Sequence, residues 1–297
     1  MTAELVMRGA AGLGAIFAVA AGGIAFVEGV RHRPLTRSVL AQRWLSWALI
    51  APAWLAAAAW GPARVALLTT FTLIAVMEFT KLRRSLVAVD RWLLSAWGVA
   101  AVPLIAVTGM DPIVVVTAAA LSSLVMPVLS ADVRNGPRRV GDLSFGILIV
   151  LLPFVLLHEV AAATSGSVFF AIGLAIALSD VGAFVAGSTL GRRRLAPSLS
   201  PNKTYAGVAG NFIGAALGAA IAAAVGITPW STLWLAPLIG AGAIVGDLAI
   251  SMLKRSQGIK DTGAWLPGFG GLLDRVDSLL VVAPIAFVAI SLIGGPT

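Results

Sequence analysis

Residues 205–226, which read YAGVAGNFIGAALGAAIAAAVG, decide the fold because 22 successive positions carry no charged side chain. A helix needs roughly 20 mainly apolar residues to cross the hydrocarbon core of a bilayer. Glycine and alanine recur through this segment, and small residues let the backbones of neighbouring membrane helices approach closely. The segment therefore predicts a membrane-spanning helix that packs tightly against another helix.

The composition of the whole chain indicates the same class of protein. Of its 297 residues, 59% are hydrophobic and 11% are charged, whereas a soluble domain carries about 25% charged residues. Nine more segments approach the length of a membrane span: 4–29, 43–60, 63–81, 91–109, 112–130, 143–163, 167–190, 232–254 and 276–294. We therefore predict an all-α fold, a polytopic integral membrane helical bundle of about ten transmembrane helices. A soluble fold is strongly disfavoured.

Two kinds of site are disfavoured by residue content alone. The sequence has no cysteine, which excludes disulfides and thiolate metal ligands. Its two histidines, His32 and His158, lie far apart in the sequence, which argues against a zinc site built on histidine.

The basic residues alternate along the chain. The connections between spans 1–2, 3–4, 5–6, 7–8 and 9–10 hold 19 of the 21 lysines and arginines, and the other two are Arg8 and Arg64. Because Lys and Arg collect on the cytoplasmic side of membrane proteins, these connections are predicted to be cytoplasmic and both termini to face outward. The net charge of +8 is then a topology signal and indicates no nucleic-acid partner. We expect a multi-pass protein of a bacterial inner (plasma) membrane.

Two carboxylates, Asp180 and Asp247, differ from the others because they lie well inside predicted spans 7 and 9. A carboxylate there is costly unless it faces a cavity or a partner, so a functional role is the first hypothesis and a structural ion pair is the alternative. Glu78, near the end of span 3, is expected to pair with Lys81 or to contact a helix end. Four other carboxylates are expected to be solvated in short loops: Asp90, Asp111, Asp132 and Asp142.

The densest polar stretch runs from residue 247 to residue 277. Asp247, Ser251 and Lys254 are spaced so that they share one face of a helix. Asp274 and Asp277 share a face in the same way if their segment is helical. Carboxylate oxygens suit Mg²⁺, which takes one or two carboxylates together with phosphate oxygens and water. Lysine and arginine hold the remaining phosphate charge, so the stretch predicts a polyphosphate-plus-metal site.

A second candidate phosphate site lies in the connection between spans 7 and 8. It combines hydroxyls, an amide and an ammonium in one short run: Ser200, Pro201, Asn202, Lys203 and Thr204. The preceding triple arginine, 192–194, is expected to serve mainly as a cytoplasmic anchor.

At these residues the sequence resembles the phosphatidate cytidylyltransferase (CDP-diglyceride synthase) family. The residues at the spacing of that family's C-terminal signature are Ser251, Lys254, Arg255, Lys260, Asp261, Gly263, Pro267, Gly270, Gly271, Asp274, Arg275 and Asp277. Asp180 with Gly182 and the run 200–204 match upstream elements of the family. The resemblance spans about residues 140–294. Phe269 stands where the family has His, and Ala206 where it usually has Glu.

The resemblance implies that CTP and phosphatidate, or a related lipid phosphate, give CDP-diacylglycerol and pyrophosphate for phospholipid biosynthesis. The implied catalytic residues are Asp247, Asp274, Asp277, Lys254, Arg255, Lys260, Asp261 and Asp180. The implied substrate-binding residues are Ser200, Asn202, Lys203, Thr204, Ser251, Arg275, Gly270 and Gly271. Local chemistry and the resemblance agree on Asp247 and Asp274 as ligands of a Mg²⁺ cofactor, and a second cation is left open.

The resemblance also implies contact with membrane lipids and a homodimer. It divides the chain into a variable set of N-terminal helices, 1–140, and a catalytic transmembrane region with cytoplasmic nucleotide-binding connections, 141–297. Other hypotheses stay open: a related CTP-dependent transferase or kinase acting on another lipid, and a catalytically impaired paralogue, the latter because of Phe269 and Ala206. A transporter is disfavoured because the two carboxylates singled out within spans, Asp180 and Asp247, both lie in the second half of the chain, whereas transporters often have matching halves.

Overall fold

The computed structural model describes residues 6–11, 14, 39–263 and 270–293, with side chains described from residue 48 within the first long helix. The helices are α1 Val39–Ala59, α2 Gly61–Leu82, α3 Ala88–Thr108, α4 Pro112–Leu129, α5 Gly136–Gly146, α6 Leu152–Ala163, α7 Ser167–Leu190, α8 Tyr205–Ala224, α9 Leu235–Ser256 and α10 Leu273–Ile293. A π-helical turn, Ile147–Leu151, joins α5 to α6, and a 3₁₀ turn, Trp230–Trp234, precedes α9.

The predicted all-α membrane fold is confirmed. Eight helices in the described part of the chain are long and apolar enough to cross a membrane, and the joined α5 and α6 count as one of them. The described apolar part of α1, Ala48–Ala59, is shorter. The predicted first span, 4–29, lies mostly outside the described residues. One small addition to the helices is an antiparallel hairpin of β1, Arg194–Ala196, and β2, Ser200–Thr204.

Four of the five connections predicted to share one side of the membrane meet at one end of the bundle, and the first, between spans 1 and 2, lies mostly outside the described residues. The connection after α2 is joined to α5, because Arg83 and Asp142 pair at 3.4 Å. The connection after α9 is joined to α2, because Glu78 accepts hydrogen bonds from the start of α10. The guanidinium of Arg255 also donates to the backbone of the connection after α7, at Leu199 O. The alternation of basic residues therefore grouped these connections correctly.

Helices α7 and α8 pack with their backbones almost in contact, as the glycine-rich segment predicted. A Cβ added at Gly182 would lie 2.2 Å from the carbonyl oxygen of Gly210. A Cβ added at Gly214 would lie 2.1 Å from the carbonyl oxygen of Leu178. These separations exclude any side chain at the crossing, and they bring the middle of α7 beside the first half of α8.

The hydrophobic core runs continuously through both halves of the sequence. Buried residues of α2, such as Phe79, belong to the same cluster as Phe154 of α6 and Leu273 of α10. Helix α10 packs on α6 and α2 as well as on α9. The hydrophobic core therefore continues across the predicted division near residue 140, and the functional division itself stays a prediction.

The expectation that four loop aspartates are merely solvated is wrong for Asp90. Its carboxylate is fully buried and receives two hydrogen bonds of 2.8 Å from the guanidinium of Arg139. Arg139 also contacts Asp132 at 3.0 Å. Burial of these charges is tolerable because each is paired, and the pair joins α3 to α5. Asp111 caps α4 by accepting from the backbone N–H of Ile113 at 2.7 Å.

Candidate active site

A cavity of about 380 Å³ lies at the end of the bundle where the hairpin, the ends of α9 and α10 and the connection after α9 converge. Its lining includes ten residues singled out in the sequence: Asp180, Asn202, Lys203, Thr204, Asp247, Lys254, Asp261, Asp274, Arg275 and Asp277. They come from α7, β2, α9, the connection after α9 and α10. The two stretches that the sequence identified separately therefore form one site.

The hairpin brings the first of these stretches over the cavity. Thr204 ends β2 and caps α8, because its hydroxyl oxygen accepts from the backbone N–H of Gly207 at 3.1 Å. One residue earlier, the ammonium of Lys203 forms an ion pair with Asp247 of α9. The cap thus fixes the end of the strand, and the ion pair ties it to the second stretch.

The polar stripe predicted on one helix face is present on α9. The hydroxyl of Ser251 donates to Oδ1 of Asp247 at 3.3 Å. One turn further on, the ammonium of Lys254 lies 2.6 Å from Oδ1 of Asp274. The stripe therefore connects α9 to β2 at one end and to α10 at the other.

Asp274 is held so that its two carboxylate oxygens have different surroundings. Oδ2 accepts from the backbone N–H of Thr262 at 2.8 Å, from the hydroxyl of Thr262 at 2.9 Å and from the backbone N–H of Gly271 at 3.2 Å. Oδ1 contacts Lys254 beside the cavity. Three donors fix the orientation of the carboxylate and leave Oδ1 to interact with a ligand.

Three aspartates form an electronegative group in the cavity wall. The carboxylate of Asp277 lies close enough to those of Asp180 and Asp247 for the three charges to interact. Arg275 contributes positive charge to both Asp180 and Asp277. Carboxylates at short range repel one another unless one is protonated or a cation lies among them, so a bound cation would stabilise the group.

Six of the predicted site residues do not line the cavity. The guanidinium of Arg255 donates instead to the backbone oxygens of Leu199 and Ile259, at 3.4 and 3.2 Å. Lys260 is exposed to solvent. Ser200, Ser251, Gly270 and Gly271 lie beside the cavity wall in the hairpin, in α9 and in the turn before α10. Their assignments as catalytic or substrate-binding residues remain predictions.

Phe269, one of the two departures from the family pattern, lies outside the described residues. The other, Ala206, lies half-buried in the first turn of α8, next to the Thr204 cap.

Three residues near the site, Glu78, Thr262 and Asn211, were not among the predicted site residues. Glu78 of α2 is buried against the turn before α10, where Thr262 and two backbone N–H groups bind it. This is the helix-end contact that the sequence suggested, but the helix is α10 and no ion pair with Lys81 is formed among the described contacts. Asn211 of α8 also lines the cavity and is 4% exposed.

The oxygen donors in the cavity suit Mg²⁺, although no three His, Asp or Glu side chains in the described ranges are close enough to hold a metal by themselves. Mg²⁺ does not require such a cluster, because one or two carboxylates suffice when phosphates and water complete its shell. Asp247 and Asp274 each present an oxygen that already contacts an ammonium group. A site that accommodates cations at both carboxylates fits Mg²⁺ together with a polyphosphate.

Similarity to known proteins covers most of the chain. A sequence model described as the cytidylyltransferase family matches residues 41–293. Over 126 residues, 42% of its length, the chain is 37% identical to a phosphatidate cytidylyltransferase of Mycobacterium leprae. Over 147 residues, 46% of its length, it is 44% identical to a phosphatidate cytidylyltransferase of Pseudomonas aeruginosa. The matched parts cover 40% and 53% of those relatives, about half of their length.

Proposed function

The chain belongs to the cytidylyltransferase family, and on that premise we propose that it transfers the cytidylyl group of CTP to the phosphate of phosphatidate or of a related lipid. The products are CDP-diacylglycerol, or the corresponding CDP-lipid, and pyrophosphate. The observation that carries this proposal is the single cavity in which the 200–204 strand and the 247–277 stretch meet. The strand contributes Lys203, and the 247–277 stretch contributes Lys254 and four aspartates, at one end of a bundle of membrane helices.

The chemistry requires little more than positioning and charge. An oxygen of the lipid phosphate forms a bond to the α-phosphorus of CTP, and the bond from that phosphorus to the bridging oxygen breaks. The electron pair leaves with pyrophosphate. A phosphate is already ionised at neutral pH, so the chain needs no base to remove a proton from the nucleophile. Its contribution is to hold two anions together and to stabilise the charge that moves to the leaving group.

The residues of the cavity divide this work. Lys203, Lys254 and Arg275 supply positive charge for the phosphates of CTP and of the lipid. Asp247 and Asp274 would hold Mg²⁺, which supplies Lewis-acid stabilisation of the phosphate charge when bound. Asp274 is kept in place by the donors on Oδ2, and Asp180 and Asp277 balance the surrounding cations.

The placement of the cavity suits a lipid substrate. The hairpin and the connection after α9 lie at one end of the helices, at the level where a phospholipid headgroup would reach them. The basic residues of these connections support a cytoplasmic position for that end, in a bacterial inner membrane, where CTP and Mg²⁺ are available. Both termini then lie outside. The homodimer implied by the family resemblance is part of the same proposal.

A direct assay tests the function. The protein, purified in detergent, is incubated with labelled CTP, Mg²⁺ and a panel of lipid phosphates, and products are identified by mass spectrometry. We expect a CDP-lipid and pyrophosphate from phosphatidate; release of CDP with a phosphorylated lipid would instead identify a kinase. A known phosphatidate cytidylyltransferase serves as the positive control, and no product from any lipid while the control works would overturn the proposal. Activity gained only on Phe269→His would identify an impaired paralogue.

A further inference from the structure

Glu78 lies near the end of α2, and its side chain is 1% exposed. Its Oε1 accepts from the backbone N–H of Leu272 at 2.9 Å and its Oε2 from that of Leu273 at 2.8 Å. These N–H groups begin α10, where the helix leaves its first donors without partners and carries partial positive charge. Glu78 therefore caps α10 from a position 194 and 195 residues away in the sequence.

The segment that begins α10, residues 271–274, also contains Asp274. Two carboxylates accept the backbone N–H groups of this region. Those of Thr262 and Gly271 donate to Oδ2 of Asp274. Those of Leu272 and Leu273 donate to Glu78. The hydroxyl of Thr262 lies 3.0 Å from Glu78 and 2.9 Å from Asp274. A hydroxyl has one hydrogen, so it can donate to only one of them at a time. The two carboxylates thus share one network.

The turn is shaped to admit the carboxylate of Glu78. A Cβ added at Gly271 would lie 2.6 Å from Oε2 of Glu78, and one added at Gly263 would lie 2.6 Å from Oε1. Both separations are shorter than real Cβ contacts, so a side chain at either position would displace the carboxylate of Glu78 from its hydrogen bonds. Backbone and side chain from distant parts of the chain therefore fit together at this point.

We propose that Glu78 is a positioning residue for the reaction in the cavity. It does not line the cavity and is not expected to touch either substrate. It fixes the turn 271–274, and this turn aims Oδ1 of Asp274 at Lys254 and the cavity. The inference rests on the proposed function for its consequence in catalysis, and on the hydrogen-bond network for its geometry.

The kinetic test uses Glu78→Gln, which preserves the size of the side chain. Glutamine has one accepting oxygen, whereas the two oxygens of Glu78 each accept a backbone N–H. The amide NH₂ would face a backbone N–H, so one hydrogen bond to Leu272 or Leu273 is lost. We expect kcat for CDP-lipid formation to fall about 10- to 100-fold, the usual range for removing a residue that orients a catalytic ligand. The KM for the lipid phosphate should change little, because its binding groups remain.

Matched variants separate positioning from stability. Thr262→Ser keeps the hydroxyl and should retain activity, whereas Thr262→Val removes it and should lower kcat. Because both act on one network, Glu78→Gln combined with Thr262→Val should lose less than the product of the two single losses. Glu159→Gln, in α6 at the opposite end of the bundle, controls for loss of a membrane carboxylate. Unchanged kcat per folded molecule in Glu78→Gln, with only a lower melting temperature, would overturn the inference.

A second measurement needs no catalysis. The chain has no cysteine, so Leu272→Cys introduces a single thiol at a position that is 5% exposed and keeps the backbone N–H that binds Glu78. We expect a maleimide to modify this thiol about 10-fold faster in the Glu78→Gln background, because local opening of the turn becomes easier. Equal rates contradict the inference whatever the enzyme does. If the wild-type protein makes no CDP-lipid but labelling is still faster in the Glu78→Gln background, the proposed function is refuted. The role of Glu78 in holding the turn is then still supported.

Discussion

Lys203 on β2 forms an ion pair with Asp247 on α9, so the hairpin is tied to the helix that carries the polar stripe. The two side chains are 24% and 37% exposed. A pair this accessible contributes about 0–1 kcal/mol to stability. Its importance therefore lies in where it places charge: one cation and one carboxylate from separate stretches of sequence meet at the cavity.

The first prediction concerns Asp247→Asn. Loss of this carboxylate removes a proposed metal ligand and the partner of Lys203, while the packing of α9 is unchanged. We expect the rate of CDP-lipid formation at saturating substrate to fall about 100-fold or more, comparable to the removal of other preorganised electrostatic groups. The melting temperature in detergent should stay close to that of the wild type, since the pair is exposed.

Asp142→Asn is the matched control for that experiment. Asp142 pairs with Arg83 at the same end of the bundle and does not line the cavity, so its replacement should preserve the rate. If Asp247→Asn works at the wild-type rate, Asp247 takes no part in the reaction.

The second prediction concerns the cation at Asp274. The ammonium of Lys254 lies 2.6 Å from Oδ1 of Asp274 and beside the cavity. Lys254→Gln should lower kcat/KM for CTP about 10- to 100-fold, the factor for losing a charge-assisted hydrogen bond of about 1.5–3 kcal/mol. Lys81→Gln, which removes an exposed cation near the end of α2, should leave kcat/KM nearly unchanged. Equal effects of the two variants would mean that only net charge matters.

The sequence predicted the membrane bundle because its signals are local. A long run of apolar residues needs no knowledge of its neighbours to be identified as a span, and the alternation of basic residues orders the connections. The stripe of Asp247, Ser251 and Lys254 was predictable for the same reason, since helical spacing alone puts them on one face. The resemblance then joined the 200–204 run to this stripe, and the structure confirms that they meet.

The contacts that the sequence did not predict are those between distant helices. Glu78 lies four residues from the end of α2 and was expected to pair with Lys81 or to contact a helix end. The neighbouring sequence contains no indication of a contact with Leu272. Asp90 appeared to be a loop residue, although Arg139 buries it completely. In both cases the partner is about 50 or more residues away, and a single sequence contains no information on such a pairing. The strand at 200–204 was also missed, because Pro201, Asn202 and Lys203 are residue types depleted in strands.

The third prediction tests the close contact of α7 and α8. Gly214→Ala would place a Cβ 2.1 Å from the backbone carbonyl oxygen of Leu178, and a backbone atom cannot move aside as a flexible side chain can. The helices must separate, which should cost about 1–3 kcal/mol as overpacking does elsewhere. Gly141→Ala is the control, because a Cβ there meets nothing within 4 Å. Thermal unfolding in detergent should show a lower midpoint for the first variant only; equal midpoints would contradict the packing.

The acid stability of the turn between α4 and α5 can be foreseen from Asp132. Its pKa lies below the usual value because the backbone N–H of Asn135 and, secondly, the guanidinium of Arg139 bind its charged form. A carboxyl with a lower pKa in the folded state stabilises the fold above its unfolded pKa, and the effect is lost as the pH falls through the folded value. Asp132→Asn should therefore reduce stability at neutral pH and have progressively less effect in acid.

The last prediction concerns the buried pair of Asp90 and Arg139. The two hydrogen bonds of 2.8 Å between them join α3 to α5, and the side chains are 0% and 4% exposed. Asp90→Asn leaves the guanidinium buried with Asp132 as its remaining carboxylate, so unfolding should become easier by a large part of the about 3–5 kcal/mol typical of breaking a buried pair. The pair lies outside the cavity, so kcat per folded molecule should not change. Thermal unfolding in detergent and a rate normalised to folded protein measure the two effects separately. A lower kcat at normal stability would show that this pair acts on the site, and the division between scaffold and cavity drawn from their positions would be wrong.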